Sequence, residues 1–149
     1  MATRAVIGYK NEDGTVTGTY NHNDGYPCHL LDEISALVER DGFARVASVL
    51  VQHANGWSFV DSQAVGDAGA QVLEGYGRFY TDDETYPYTA SIDDLVRGAD
   101  AQWVYLFDME DSVLEVFDVW GGMNSVVITE EELMDIDFDN LASKFKSQI

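Results

Sequence analysis

The sequence predicts an α+β fold in which an antiparallel sheet, built from two hairpins, carries helices packed on one face. Two stretches, residues 3–20 and 102–120, combine strand-forming residues with a short polar turn, which is the pattern of a hairpin. Apolar residues recur at helical spacing after each of these stretches. No repeat or linker-like segment interrupts the chain, so we predict one domain over residues 1–149.

The first hairpin is predicted from strands at residues 3–10 and 15–20, joined by a turn that contains Asp13-Gly14. Residues 30–40 follow as a helix, because their apolar positions fall on one face and Asp41-Gly42 interrupts the pattern. A shorter helix is predicted over residues 43–52, with a strand at 49–51 as the alternative.

The middle of the chain gives weaker patterns. Residues 58–80 contain four glycines and are interpreted as loops and short pieces, residues 81–85 as an acidic loop, and residues 86–88 as an extended segment ahead of the next helix. Ser91 is a predicted helix N-cap, and the helix that it opens is expected to end at Gly98.

The second hairpin is predicted from alternating apolar residues at 102–108 and 112–120, with the turn at 109–111. Another strand is expected at residues 125–128. Thr129 and Glu132 have the spacing of a capping box, so a helix is predicted to start at Glu130. The tail, residues 138–149, has an apolar face and two lysines near its end, which is typical of a further helix.

The chain is strongly acidic, with 27 acidic residues against eight lysines and arginines, a net charge of −19 and a pI of about 4.1. The charge is uneven: residues 76–149 hold 17 of the acids. Such a surface repels nucleic acid and anionic membranes and attracts basic partners. A solvated surface with no binding role is the simpler explanation of charge alone.

Sequence features also predict the compartment. The single cysteine cannot form an internal disulfide, which favours a reducing environment. We identify no signal segment and no apolar run of the roughly 18 residues that a membrane span needs. The sequence therefore predicts a cytoplasmic protein.

Residues 20–29 form the stretch with the most site-like composition, because they hold two of the three histidines, the only cysteine and one of the two prolines. The structural interpretation is a tight turn that leads into a helix, with Gly25 at positive φ, Tyr26 filling the core and Cys28 buried. In the functional interpretation, His22 acts as an acid or base and Asp24 orients it or binds a cation.

Two further interpretations of this loop stay open. Cys28 and His29 could form a nucleophilic pair, although adjacent side chains usually point apart. His22, Asp24 and His29 could form part of a metal site, but their spacing matches no established pattern, so we predict neither a metal nor a cofactor. Phosphate-binding, nucleophile-elbow and paired-cysteine motifs are absent from the sequence, which favours a protein that is not an enzyme.

The N-terminal fifth of the chain resembles a family of small proteins encoded by tailed phages and prophages. Members of that family begin with an Arg-containing strand, a turn and a second strand, followed by the motif Tyr-x-His-x-Asp-Gly-Tyr-Pro. The motif stands in this chain as Tyr20, His22, Asp24, Gly25, Tyr26 and Pro27. Asn23 occupies a position where family members commonly carry Trp. The resemblance implies a phage origin and a role for His22, Asp24 and Tyr26.

Phage origin gives the charge a function, since acidic phage proteins can imitate DNA phosphates and occupy the basic groove of a host defence complex. We therefore predict an anti-CRISPR or anti-restriction inhibitor that binds a basic nucleic-acid-binding protein of the host, with a homodimer as an open alternative. Trp103, Tyr105 and Trp120 could add apolar contacts if they are exposed. The predicted contact residues are acidic: Asp108, Glu110, Asp111, Glu115, Asp118, Glu130, Glu131, Glu132, Asp135, Asp137 and Asp139.

The second hypothesis is a binder, sponge or hydrolase for a small nucleotide, with the loop at residues 20–29 as its pocket. An anionic ligand needs positive charge, so two arginines beside His22 would favour this hypothesis. The chain has five arginines: Arg4, Arg40, Arg45, Arg78 and Arg97. A third possibility is a phage interaction protein without an inhibitory role.

Overall fold

The computed structural model describes residues 3–52, 56–66, 71–80 and 86–137, together with residues 139 and 141. These residues form nine strands and four helices. The strands are β1 (Ala5–Lys10), β2 (Val16–Asn21), β3 (Trp57–Val60), β4 (Val72–Leu73), β5 (Gly77–Phe79), β6 (Tyr88–Ala90), β7 (Trp103–Asp108), β8 (Val113–Asp118) and β9 (Asn124–Thr129). The helices are α1 (Pro27–Asp41), α2 (Phe43–Gln52), α3 (Ile92–Ala99) and α4 (Glu130–Leu133).

The strands make one mixed sheet in the order β4-β5-β3-β2-β1-β7-β8-β9, and β6 also pairs with β2. Both predicted hairpins are confirmed, as β1–β2 and β7–β8, and β9 extends the second one. The prediction of an antiparallel two-hairpin sheet is wrong, because β1 pairs with β7 and β2 pairs with β3 in parallel. The parallel β1–β7 pair joins the two hairpins edge to edge.

Burial on both faces explains this arrangement. Along β7, Tyr105 and Phe107 pack with α1 and α2, whereas Val104 and Leu106 pack with Leu95 of α3. Strands that are covered on both sides occur in the interior of a sheet, where parallel pairing is common. The prediction that all helices lie on one face is therefore also wrong, since α3 covers the face opposite to α1 and α2.

The N-terminal caps of two helices were predicted correctly from the sequence, whereas the end of α3 was not. The capping box at α4 is confirmed: the Thr129 hydroxyl accepts from the Glu132 amide at 3.1 Å, and the Glu132 carboxylate accepts from the Thr129 amide at 3.2 Å. Ser91 caps α3 as predicted, through a 3.2 Å bond from the amide of Asp94. However, α3 runs past Gly98 to Ala99, and the residue that caps it, Asp100, takes the left-handed conformation with φ of 50°.

The helices predicted over residues 30–40 and 43–52 are confirmed as α1 and α2. The first of them begins three residues earlier than predicted, because Pro27 occupies its first turn, where no amide donor is needed. The strand alternative at residues 49–51 is wrong. The acidic loop at residues 81–85 and His53 lie outside the described residues, as does most of the predicted C-terminal helix.

Candidate functional sites at the two ends of the sheet

The strand register places the two predicted sites at opposite ends of the sheet. At one end Ala5 lies opposite both Asn21 and Trp103, and Trp103 lies opposite Asp118. We call this the loop end, because residues 22–26 follow from it. At the other end Asp108 lies opposite Val113, which lies opposite Thr129. We call this the acidic end, since the turn at residues 109–112 and the start of α4 meet there.

At the loop end, backbone hydrogen bonds fix residues 22–25 between β3 and the N-terminal segment. The amides of His22 and Asn23 donate to the carbonyls of Trp57 and Ser58 at 2.9 and 2.8 Å. The amide of Gly25 donates to Thr3 at 2.9 Å. The loop is therefore an ordered continuation of the sheet.

The reason for glycine at position 25 differs from the predicted one. Positive φ occurs at Asp24, with φ of 55°, and the prediction of positive φ at Gly25 is wrong. A Cβ atom at Gly25 would lie 2.6 Å from the Thr3 carbonyl oxygen and 2.9 Å from the Ala5 Cβ. Close packing against the N-terminal segment is what requires glycine here.

His22 belongs to an aromatic cluster on the face of the sheet that α3 partly covers. The Tyr20 hydroxyl lies 2.7 Å from His22 Nδ1, and the ring of Tyr80 lies 4.9 Å from the His22 ring. Tyr20 also contacts Tyr80 and stacks on Tyr86. Burial, followed by the neighbouring Tyr80, raises the pKa of Tyr20 to about 12. The Tyr20 hydroxyl and His22 Nδ1 share this hydrogen bond, and the tautomer of His22 sets which of the two atoms is the donor.

The other loop residues do not converge on His22. His29 donates from Nε2 to the carbonyl of Val60 at 3.1 Å. Cys28 is exposed and Tyr26 is 37% exposed, so the predictions that they are buried are wrong. The cause is the helix that starts at Pro27, whose core-facing positions begin at Leu30. No cluster of His, Cys, Asp and Glu suited to a metal ion was found among the described residues.

Of the arginines that a nucleotide pocket would need, Arg4 lies near the Tyr20–His22 pair and Arg40 binds elsewhere. Arg4 forms a 2.8 Å ion pair with Asp100 at the loop end, and its charge lowers the pKa of Tyr20 against the larger effect of burial. Arg40 bonds to Asp41 and to the carbonyls of Ser62 and Gly75, away from His22.

Several of the predicted contact acids have a structural role. Lys10 lies 3.7 Å from Asp108 and 3.6 Å from Glu115, so it partly neutralises both. Ser125 also donates to Glu115 at 2.7 Å. Other carboxylates accept backbone amides within their own turns: Asp108 from Glu110 and Asp111, Asp118 from Gly121, Glu132 from Thr129, and Asp137 from Asp139. Asp118 also lies at the loop end, apart from the rest.

The other predicted acids are exposed. Glu110 and Asp111 lie in the β7–β8 turn, and Glu130 and Glu131 open α4 beside it, all at the acidic end. Glu12 and Asp13 lie in the β1–β2 turn at the same end. These two acids were not among the predicted contact residues. Asp135 and Asp139, which follow α4, are exposed too. The sheet thus collects carboxylates from three segments that are far apart in sequence.

Of the aromatic side chains predicted as contacts, only the one in the β8–β9 turn is strongly exposed. Trp120 is 74% exposed, whereas Trp103 is half-buried and Tyr105 is fully buried. Trp120 borders a groove of about 350 Å³ between its turn and α3, with Asp93 and Asp100 among the lining residues. Arg97 also lines this groove, and Asp100 is paired with Arg4, so the feature offered to a binding partner is the exposed indole, on which an arginine or lysine can stack.

No protein-family model, curated protein or solved structure showed significant similarity to this chain. Within the described ranges, every helix is too short or too polar to cross a membrane.

Proposed function

We propose that this protein is a phage-encoded inhibitor of a host defence system, of the anti-CRISPR or anti-restriction kind, that acts in the host cytoplasm. It binds the nucleic-acid groove of a basic host protein through its acidic end. The observation that carries this proposal is the convergence of exposed carboxylates from the β1–β2 turn, the β7–β8 turn and α4. Neither catalysis nor a cofactor is part of this mechanism.

The acidic residues fall into a hydrogen-bonded group and an exposed group, and this difference supports the proposal. Residues with structural bonds, such as Asp108 and Glu132, hold the turns in shape, and the exposed carboxylates of Glu110, Asp111, Glu130 and Glu131 extend from those turns. Because the turns already hold these carboxylates in place, binding to a basic groove costs less conformational entropy than it would for a flexible segment. Trp120 lies at the loop end of the sheet. It would add an apolar contact with the host protein, which carboxylates that imitate phosphates cannot provide.

The first test is recovery of tagged protein from host lysate at 50 and 500 mM salt, with the bound proteins identified. We expect a nucleic-acid-binding defence complex that dissociates at high salt, since exposed charges are screened. The purified complex should then lose DNA binding in competition with this protein, and its Kd for the inhibitor should rise about 10-fold or more between 50 and 200 mM salt. Salt-insensitive, non-competitive binding would exclude mimicry.

A paired charge reversal tests the location of the surface. Glu130→Lys with Glu131→Lys should abolish competition. The matched control, Asp32→Lys with Glu39→Lys, makes the same change in net charge at exposed positions on α1. If both pairs weaken binding equally, overall charge and not the acidic end is responsible.

The small-nucleotide hypothesis retains one supporting observation, the hydrogen-bonded Tyr20–His22 pair beside the partly exposed ring of Tyr80. Calorimetry with mono- and dinucleotides tests it directly. Binding that is lost in His22→Ala, together with failure of the competition assay, would replace the inhibitor proposal with this one.

A further inference from the structure

Strand β9 forms one border of the sheet, and within the described residues no strand lies beyond it. The bond between Thr129 and Glu132 shows which residues of β9 hydrogen-bond to β8 and which do not. The amide of Thr129 donates to the Glu132 carboxylate, so it does not bond to Val113, its partner on β8. Because bonded and non-bonded pairs alternate in antiparallel sheets, Val127 and Ser125 are also non-bonded towards β8. Their amides and carbonyls therefore point away from β8, on the side where the described residues place no strand.

Among the described residues, strand β9 itself carries none of the sequence features that usually prevent pairing. Asn124–Thr129 contains no proline and no charged residue, and its register with β8 is continuous over all six positions. Natural edge strands are normally short, bulged or charged. The opposite border of the sheet follows that rule, since β4 has only two residues. The side chain of Val127 is 50% exposed on the face that β9 shares with Glu115.

We propose that β9 is the dimer interface, and that a second copy of this chain pairs with it antiparallel about a two-fold axis. Ser125 of one copy then faces Val127 of the partner subunit, and the outward amides and carbonyls of both residues are satisfied. The two sheets become one continuous sheet. This inference stands apart from the proposed inhibitory function.

Charge distribution makes a second copy an acceptable occupant despite the net charge of −19. In this register the acidic start of each α4 lies towards the uncharged β8–β9 turn of the partner subunit. The Thr129 residues that precede the two α4 helices lie on opposite sides of the two-fold axis, about 20 Å apart at a rise of about 3.3 Å per residue. That separation exceeds the Debye length of about 8 Å at physiological ionic strength. Added salt screens the residual repulsion between the two negatively charged copies, so it should strengthen the dimer, which is the opposite of its effect on binding to a basic groove.

The test is the molar mass of the full chain by light scattering between about 1 and 100 μM, at 150 and 500 mM salt. We expect twice the chain mass of 16.5 kDa, with tighter association at the higher salt. Val127→Lys should give a monomer. Val65→Lys makes the same substitution at a residue that is 76% exposed and lies away from the edge, so it should remain dimeric. Both substitutions make the same change in net charge, so a difference in association between the two variants reports an effect that is local to the edge.

Hydrogen exchange localises the contact. The amides of Ser125 and Val127 should gain protection as concentration rises in the wild type, but not in Val127→Lys. A circular dichroism melt verifies that both variants are folded. A wild-type chain that stays monomeric at 100 μM, or a Val127→Lys variant that dimerises as well as Val65→Lys, would overturn the proposal.

Discussion

The hydroxyl group of Tyr105 donates a 2.6 Å hydrogen bond to the carbonyl oxygen of Gly25, across 80 positions of the chain. Tyr105 is fully buried, and burial raises the pKa of its phenol well above the ordinary value. This bond connects the centre of the sheet to the loop that carries His22 and Asp24.

Tyr105→Phe should lower the free energy of unfolding by about 1–3 kcal/mol, because the Gly25 carbonyl is left buried without a partner. Urea denaturation measures the change. Tyr26→Phe is the matched control, since it removes a phenol hydroxyl from a partly exposed residue of the same loop and should change stability by less than about 0.5 kcal/mol. Equal stabilities for the two variants would contradict this account of the loop.

Gly25→Ala should destabilise the protein by about 1–3 kcal/mol, because the added methyl group overlaps the Thr3 carbonyl and the Ala5 side chain. Gly66→Ala provides the comparison, since the nearest atom to its Cβ is Glu74 Cβ at an ordinary contact distance of 3.6 Å. Thermal or urea unfolding of both variants decides the point. A Gly25→Ala protein as stable as the wild type would show that the loop can move away from the N-terminal segment.

Acid sensitivity should depend on Asp41. Hydrogen bonds from Arg40 and then from Tyr76 lower the pKa of this carboxyl to about 2, against an ordinary value of 3.8. Because the folded pKa is the lower one, the carboxylate stabilises the fold above about pH 4, and this contribution disappears as the pH falls towards 2. In Asp41→Asn the free energy of unfolding should therefore fall less between pH 5 and pH 2 than in the wild type.

Tyr76→Phe should give an intermediate acid dependence, because it removes only the second of these hydrogen bonds. Urea titrations at each pH provide the measurement. If the three proteins lose stability in parallel on acidification, Asp41 does not control the acid response.

Trp120→Ala should separate binding from folding. Since the side chain is 74% exposed, its loss should change stability by less than about 0.5 kcal/mol. Loss of an exposed tryptophan anchor should weaken binding to the host partner about 10-fold or more. Val65→Ala, at another strongly exposed position, should affect neither quantity. Unchanged binding by Trp120→Ala would remove this residue from the interface.

Local features of the fold were predictable from the sequence because they depend on neighbouring residues. The turn at Gly14, with φ of 86°, and the capping box of Thr129 and Glu132 are both confirmed. Alternating apolar residues also gave β7 correctly. The parallel pairing of β1 with β7 was missed, because alternation indicates which side chains are buried but not which strand lies alongside. Strands of two or three residues, such as β4 and β5, are too short to show any periodicity.

The candidate site was predictable only in part, for the same reason. The sequence indicated which acids are charged, but their grouping depends on the pairing of Asp108, Val113 and Thr129 across three strands. The contact of His22 with Tyr80 and the stacking of Tyr20 on Tyr86 were missed, because they bring together residues about 60 positions apart. The inhibitory function and the phage origin remain predictions.

The parallel β1–β7 pair also sets the order in which the protein can assemble during synthesis. Ala5 pairs with Trp103, so β1 leaves the ribosome 98 residues before its neighbour. At translation rates of about 5–20 residues per second, the first hairpin has one open apolar edge for roughly 5–20 s. During that interval the nascent chain exposes Val6 and Ile7, which are buried in the finished protein. The pairing of the central strand of the sheet is thus completed only after two thirds of the chain has been made.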